Sequence, residues 1–289
     1  MLQCEYRKNN FIFPNSKEQS YFDENHHMGS KTLQASLWGK KPEDWAQIQE
    51  ATGIAGYEYA LDWLGPLSNV QLLDIGCGSG VFSDLAKKKG ADVVGIDATG
   101  ELLAEAKKRA PGISFLEGDM ESLPFPDHSF DVVCGFNSFQ YAENIAAAFA
   151  EAKRVLKEDG WLVVMIWGNK EDCEAASYLK ALGSCMPPPP PGAGGPFALT
   201  ENNRLQILLK EGGFDIVHVA DLSTVWDYPD KATAIRGLLA AGPAARAIEH
   251  SGFEKVYDSV ETAVGPYIDG RGHVVYKNQW RVVVASLLK

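Results

Sequence analysis

From residue 70 onward the apolar positions switch between two spacings. Short unbroken apolar runs, stopped by glycine or an acid, lie at Val70–Ile75, Asp92–Asp97, Ile113–Gly118, Phe130–Gly135 and Trp161–Trp167. Runs of this length bounded by turn residues predict buried strands. Between them apolar residues recur every three to four positions: Val81, Phe82, Leu85 and Ala86, then Leu102, Leu103 and Ala106, then Ile145, Ala148, Phe149, Ala152, Val155 and Leu156. Each set marks one face of a helix. Pro111-Gly112 ends the second helix, and Gly160 is expected to cap the third. Strands alternating with helices predict an α/β fold with a mostly parallel sheet covered on both faces.

The flanks are less regular. Residues 42–64 read as one helix, with Trp45, Ile48, Gln49 and Thr52 leading to Tyr59, Leu61, Trp63 and Leu64. The stretch before residue 30 has no sustained period and is expected to be partly mobile. Gly and Pro crowd residues 183–196, including the run Pro187 to Pro191. Consecutive prolines favour a stiff polyproline spacer, read here as a surface connection or the wall of a pocket. Leu205, Leu208 and Leu209 then resume a helix, Phe214–Val219 a strand, and Trp280–Leu287 the last strand. Helical spacing at Ile235, Leu238 and Leu239, and at Phe253, Val256, Tyr257, Val260 and Val264, predicts a helical cap before that strand. The chain thus divides into an N-terminal segment (1–68), a core (69–225 and 274–289) and a cap inserted at 226–273.

Composition narrows the partners. Of 289 residues, 27 are Lys or Arg and 38 Asp or Glu, a formal net charge of −11. That balance disfavours nucleic acid or an anionic membrane as a partner. The most apolar runs, Trp161–Gly168 and Arg281–Leu287, are strand-length, whereas a membrane-spanning helix needs roughly 20 residues. The five cysteines form no C-x-x-C pair, so neither a disulfide framework nor a zinc site is indicated. With a polar Met1-to-Asn10 stretch lacking a secretory apolar region, the expectation is a soluble cytoplasmic protein with no metal.

The candidate chemistry starts at Leu73-Asp74-Ile75-Gly76-Cys77-Gly78-Ser79-Gly80, between the first strand and the first helix. Glycines there let a ligand approach backbone where a Cβ would collide, at the carboxyl end of the first strand of such a sheet. The dinucleotide pattern G-x-G-x-x-G does not fit: its sixth position falls on Val81 or Ser83. An acid at Asp74 suits a cationic ligand and would be unfavourable beside a pyrophosphate. Asp97 closes the second strand, 17 residues after Gly80. After the third strand come Gly118-Asp119-Met120 and Leu123-Pro124-Phe125-Pro126-Asp127-His128-Ser129-Phe130-Asp131. Over residues 70 to about 168 the chain resembles the class I S-adenosylmethionine-dependent methyltransferases, which share D-x-G-x-G-x-G and G-D-x-x-x-L-P-F-x-D-x-S-F-D. It is most similar to members that methylate quinones and small metabolites.

The resemblance implies a Rossmann-like, doubly wound, seven-stranded sheet whose last strand is antiparallel. It implies S-adenosylmethionine as cofactor and S-adenosylhomocysteine as product. Asp97 and the adjacent Ala98 would meet the ribose, Asp119 the adenine amino group, and the Met120 backbone the adenine ring. Asp74, Gly76, Cys77, Gly78 and Gly80 would form the cofactor loop, and Phe136 and Asn137 would close over the sulfonium. Trp38, Gln140 and Trp167 are the candidates for the acceptor side. Trp226, Tyr228 and Tyr267 suggest a partly apolar acceptor.

Plainer roles stand beside these. Cys77 and Cys134 are also read as small core residues, Asp131 as a turn residue that stabilises the fold, and His128 as a solvated turn residue. Trp38 and Trp45 form either an aromatic lid or ordinary helix packing. His26 and His27 could supply a base over the site, but none is assigned as catalytic. Two alternatives stay open: methylation of RNA or protein, and a non-catalytic cofactor-binding scaffold. Against the first, Asn137-Ser138-Phe139 lacks the prolines of the Asn/Asp-Pro-Pro-Tyr/Phe motif common in amino-directed nucleic-acid enzymes. The sequence leaves open the acceptor, the methylated atom and the oligomeric state.

Overall fold

A computed structural model describes residues 30–188 and 195–289, together with a two-stranded antiparallel ladder of Tyr6–Arg7 with Asn10–Phe11. His26, His27 and most of the N-terminal stretch lie outside the described residues, as does the proline run beyond Pro188.

Seven strands form one sheet: β1 (Gln71–Ile75), β2 (Asp92–Asp97), β3 (Ser114–Glu117), β4 (Phe130–Phe136), β5 (Leu156–Trp167), β6 (Phe214–Tyr228) and β7 (Val274–Leu287). Their order is β3-β2-β1-β4-β5-β7-β6. β1 to β5 pair in parallel, and β7 runs antiparallel between β5 and β6. The predicted fold is the observed one. Alternation along each strand sends Leu72, Val93, Val132 and Val163 to one core layer, and Leu73, Val94, Val133 and Val164 to the other. Both faces are apolar because helices cover both. They are α1 (Lys31–Trp38), α2 (Ile54–Leu64), α3 (Val81–Lys88), α4 (Gly100–Arg109), α5 (Ile145–Val155), α6 (Ala176–Ser184), α7 (Arg204–Glu211), α8 (Lys231–Leu238), α9 (Gly242–Ser251) and α10 (Phe253–Val264). The order reverses between β1 and β4, and the crevice outside the strand ends there is where such sheets bind ligands.

Four expectations need correction. The helix expected over 42–64 is continuous in path but not in winding. A short turn at Pro42–Asp44 widens to a π-helix at Trp45–Gln49, tightens to a 3-10 turn at Glu50–Gly53, and becomes α-helical only at Ile54. Second, Gly160 caps no helix. α5 ends at Val155 and Gly160 lies within β5, where a Cβ would stand 2.8 Å from the Asp131 carbonyl oxygen.

Third, β6 and β7 are much longer than the apolar runs that marked them, because they pair from Phe214↔Leu287 to Tyr228↔Val274. Alternate residues of β6 face solvent, and beyond Val219 these include Asp221, Ser223 and Asp227, so an apolar-run criterion stopped too early. Trp226 and Tyr228 consequently belong to β6 and not to the cap. Fourth, the cap contains three helices. The middle one, α9, buries Ala244, Ala245 and Ala247 and has Ile248 as its one large apolar residue, too few to show a helical period.

The L-P-F-x-D-x-S-F-D stretch turns out to be a clamp. Arg154 of α5 donates to the Phe125 and Leu123 carbonyls at 2.7 and 2.9 Å and pairs with Asp127 and Glu151 at 2.8 and 2.7 Å. Asp131 accepts from the Gln71 backbone N–H and from Lys157, tying β4 to the start of β1 and to β5. Arg154→Ala should cost about 2 kcal/mol, the exposed ion pairs counting for little of it. Thermal unfolding should show a lower Tm with unchanged cofactor affinity; unaltered Tm would contradict the clamp.

Candidate functional site

The glycine loop is shaped by its neighbours. Gly76, Gly78 and Gly80 have φ of +70°, +54° and +79°, left-handed values that favour glycine. At Gly76 a Cβ would also stand 2.4 Å from the Ser138 Cβ. The Ser138 hydroxyl donates to the Ile75 carbonyl at 2.8 Å, locking the end of β4 against the loop.

Three buried or half-buried carboxylates surround this loop. Asp97 accepts from the Gly78 N–H on one oxygen and the Thr99 N–H on the other, both at 2.9 Å. Each oxygen retains a second lone pair for a ligand. Asp74 accepts from the Ser83 hydroxyl at 2.6 Å. The third, Glu50, comes from the N-terminal segment and accepts from the Ser79 and Val81 N–H groups at 2.8 and 3.1 Å. It thereby satisfies orphan donors at the α3 N-terminus, where a negative charge is favourable. Arg109 completes the clamp, donating to the Ser79 carbonyl at 3.0 Å and the Ala46 carbonyl at 2.8 Å.

Burial pushes the Asp74 carboxyl up to about 7, against the Ser83 donation and with help from the Glu50 and Asp97 charges. Burial likewise raises Glu50 and Asp97, against the backbone donors that favour their ionised forms. The folded chain holds the Asp74 proton to about pH 7, whereas the unfolded chain releases it near 3.8. Stability should therefore fall as pH rises through this window, by roughly 4 kcal/mol in all from this group. Urea unfolding of wild type and Asp74→Asn between about pH 5 and pH 8 tests this. The variant should show the flatter profile; equal slopes would contradict it.

A cavity of about 580 Å³ opens at the strand ends, within the size range of small-molecule sites. Gly76, Gly78, Asp97, Ala98, Asp119, Met120, Phe136 and Asn137 all line it, as do the acceptor-side candidates Trp38, Gln140 and Trp167. The structure does not bring Asp74, Cys77 or Gly80 to the cavity. Asp74 points beneath the loop to α3, Cys77 packs in the core with its side chain turned from the ligand face, and Gly80 abuts Ala106 and Phe115. Asp119 uses one oxygen to accept from the Glu121 N–H at 2.9 Å. Gln140 donates to the Asn137 side chain, and Asn137 itself has a φ of +54°.

Trp38 and Trp45 pack on each other at the cavity wall. They meet edge-on at 4.7 Å, Trp38 also contacts Tyr141 at 5.3 Å, and both line the cavity. Of the proposed apolar residues only Trp226 lines it; Tyr228 donates to Gln49 at 2.9 Å and Tyr267 packs on Tyr276. Glu50, Arg109 and Trp280 escaped the sequence reading. For Glu50 a signal existed: Ala46, Gln49, Glu50, Gly53 and Tyr57 are all buried at helical spacing, so an acid and an amide sit on an otherwise apolar stripe.

The methyltransferase-domain family matches residues 73–164, the span of the glycine loop, Asp97, Asp119 and β4. Over that third of its length the chain is similar to a methyltransferase domain. A malonyl-[acyl-carrier protein] O-methyltransferase of Erwinia pyrifoliae is 25% identical over 74% of this chain and 77% of its own length. A demethylmenaquinone methyltransferase of Chlorobaculum tepidum is 42% identical, over 31% of this chain and 38% of its own length. Among solved structures, geranyl diphosphate C-methyltransferase from Streptomyces coelicolor superposes with a TM-score of 0.53 at 15% identity, covering 90% of this chain and 98% of its own. That likeness confirms the fold. No helix among the described residues is long and apolar enough to cross a membrane.

The cavity's donor and acceptor set fits S-adenosylmethionine. Its glycine face has no side chains to fill it, its carboxylates suit a cation and a diol, and the Trp45 indole N–H is buried without a partner beside Gly78.

Proposed function

We propose that the chain transfers the methyl group of S-adenosylmethionine to an oxygen, nitrogen or carbon nucleophile of a small organic acceptor by in-line displacement. The observation that carries this reading is one continuous cavity that joins the glycine loop, Asp97 and Asp119 to a wall of tryptophans. In this reading Asp97 accepts from the ribose hydroxyls, Asp119 from the adenine amino group, and Gly76 and Gly78 admit the cofactor against bare backbone. The bound cofactor supplies an already activated methyl group. What remains for the protein is orientation and exclusion of water. Phe136 and Asn137 stand where β4 ends, between the two halves of the cavity. Trp38, Trp45 and α9 cover it.

The core holds the cofactor, and the N-terminal segment and cap shape the acceptor side. The relatives' names place methylation on oxygen in one and on carbon in another, so the methylated atom is a property of the divergent segments. Incubating the full chain with S-adenosylmethionine and a panel of neutral phenols, amines and enols should yield S-adenosylhomocysteine with at least one member. Tight donor binding without product across the panel would favour a non-catalytic scaffold.

A further inference from the structure

The half of the cavity farthest from the glycine loop is built differently from the half beside it. Trp167 and Trp280 are register partners on β5 and β7, with centroids 4.6 Å apart, and Trp226 of β6 stands 5.5 and 6.1 Å from them. All three are at least nine-tenths buried, and Leu179, Leu182 and Met186 face the same space from α6 and its C-terminal end. Every charged residue on the lining belongs elsewhere. Glu50, Asp97 and Asp119 lie around the glycine loop and the ends of β2 and β3, and Lys31 pairs with Glu117 at the end of β3. Arg246 is exposed on α9. An anionic or cationic group placed among the three tryptophans would lose its hydration with no countercharge to replace it.

Three lining side chains hold a buried polar atom without a partner among the described residues: Trp45 beside the glycine loop, Gln140 with its amide oxygen, and Trp226 with its indole N–H. Buried indole N–H groups ordinarily find an acceptor. Trp38 donates to Gln34 and Trp280 to the Thr52 carbonyl, at 3.2 Å each. The Trp226 indole N–H, on a side chain only 3% exposed, has no partner among the described residues. A donor held in an apolar wall of the cavity is satisfied when a ligand brings an oxygen to it.

We infer that this aromatic chamber binds the acceptor as a neutral, flat, ring-bearing molecule that carries a carbonyl or ether oxygen, and that the Trp226 N–H is the specificity-determining contact to that oxygen. The inference rests on the methyl-transfer reading, since it assigns the acceptor half of that cavity. The tilted indoles offer ring faces to a flat molecule, the lack of a countercharge rejects carboxylates and phosphates from the deep end, and Trp226 fixes which way round the ring enters.

The test is calorimetry on the full chain saturated with S-adenosylhomocysteine, using three probes of similar size: α-tetralone, naphthalene and 2-naphthoate. Tetralone should bind about tenfold tighter than naphthalene, the worth of one buried hydrogen bond, and naphthoate more weakly than either. In Trp226→Phe, tetralone should fall to the level of naphthalene, while naphthalene and S-adenosylhomocysteine keep their affinities. The wild-type ranking needs no variant, so misfolding of Trp226→Phe does not rescue the idea. Naphthoate binding as tightly as tetralone, or an equal loss of tetralone and naphthalene in the variant, would overturn it. So would failure of all three probes on a chain that binds S-adenosylhomocysteine, an outcome that leaves methyl transfer standing. Failure of S-adenosylhomocysteine itself to bind would overturn the reading beneath it.

Discussion

Asp97→Ala should weaken S-adenosylmethionine binding by at least about a hundredfold while leaving a folded chain. Two effects act together. The carboxylate holds the glycine loop through the Gly78 and Thr99 N–H groups, both at 2.9 Å, and it lines the cavity. Hydrogen bonds to a charged group contribute about 1.5–3 kcal/mol each. Losing those to the ribose, with the loop left slack, amounts to roughly 3–4 kcal/mol, and each 1.4 kcal/mol is about tenfold. Stability should suffer less, because removing Asp97 also removes a carboxylate whose ionised form burial disfavours. Calorimetry with circular dichroism as a folding control separates the two effects. Retained affinity in a folded Asp97→Ala chain would contradict the assignment.

Glu50→Ala should have the largest effect on stability. The substitution strands the Ser79 and Val81 N–H groups at the buried start of α3, at about 1–3 kcal/mol each. Relief of the buried charge offsets part of that, since burial raises the Glu50 carboxyl. The net expectation is a loss of about 2–4 kcal/mol. Glu50→Gln keeps an acceptor in place and should recover much of it. Because Glu50 also lines the cavity and fastens the N-terminal segment to the glycine loop, cofactor affinity should drop in the Ala variant as well. Equal Tm values for Ala, Gln and wild type would show that the segment is not held this way.

Glu50 also illustrates what the sequence could and could not disclose. The sheet was legible because β1, β2, β4 and the second half of β5 are buried on both faces, so their apolar runs stand out without reference to anything distant. Asp97 and Asp119 were legible because each stands at or just beyond a strand end, a place the local pattern defines. Asp74 matches the motif equally well, yet it turns under the loop to Ser83, which the motif does not encode.

The lower half of the cavity escaped for a different reason. Trp280 meets Trp167 only through an antiparallel pairing between strands far apart in sequence, and Trp226 joins them from a β6 twice as long as its apolar start. Glu50 stands on a buried helical stripe, but nothing local says that its carboxylate reaches the Ser79 and Val81 N–H groups, some thirty residues along the chain.

What the cavity holds decides the function. Calorimetric titration of the wild-type chain with S-adenosylmethionine, and separately with NADH, tests it most directly. One S-adenosylmethionine should bind per chain, with no heat from NADH. No binding of S-adenosylmethionine, or tighter binding of NADH, would contradict it.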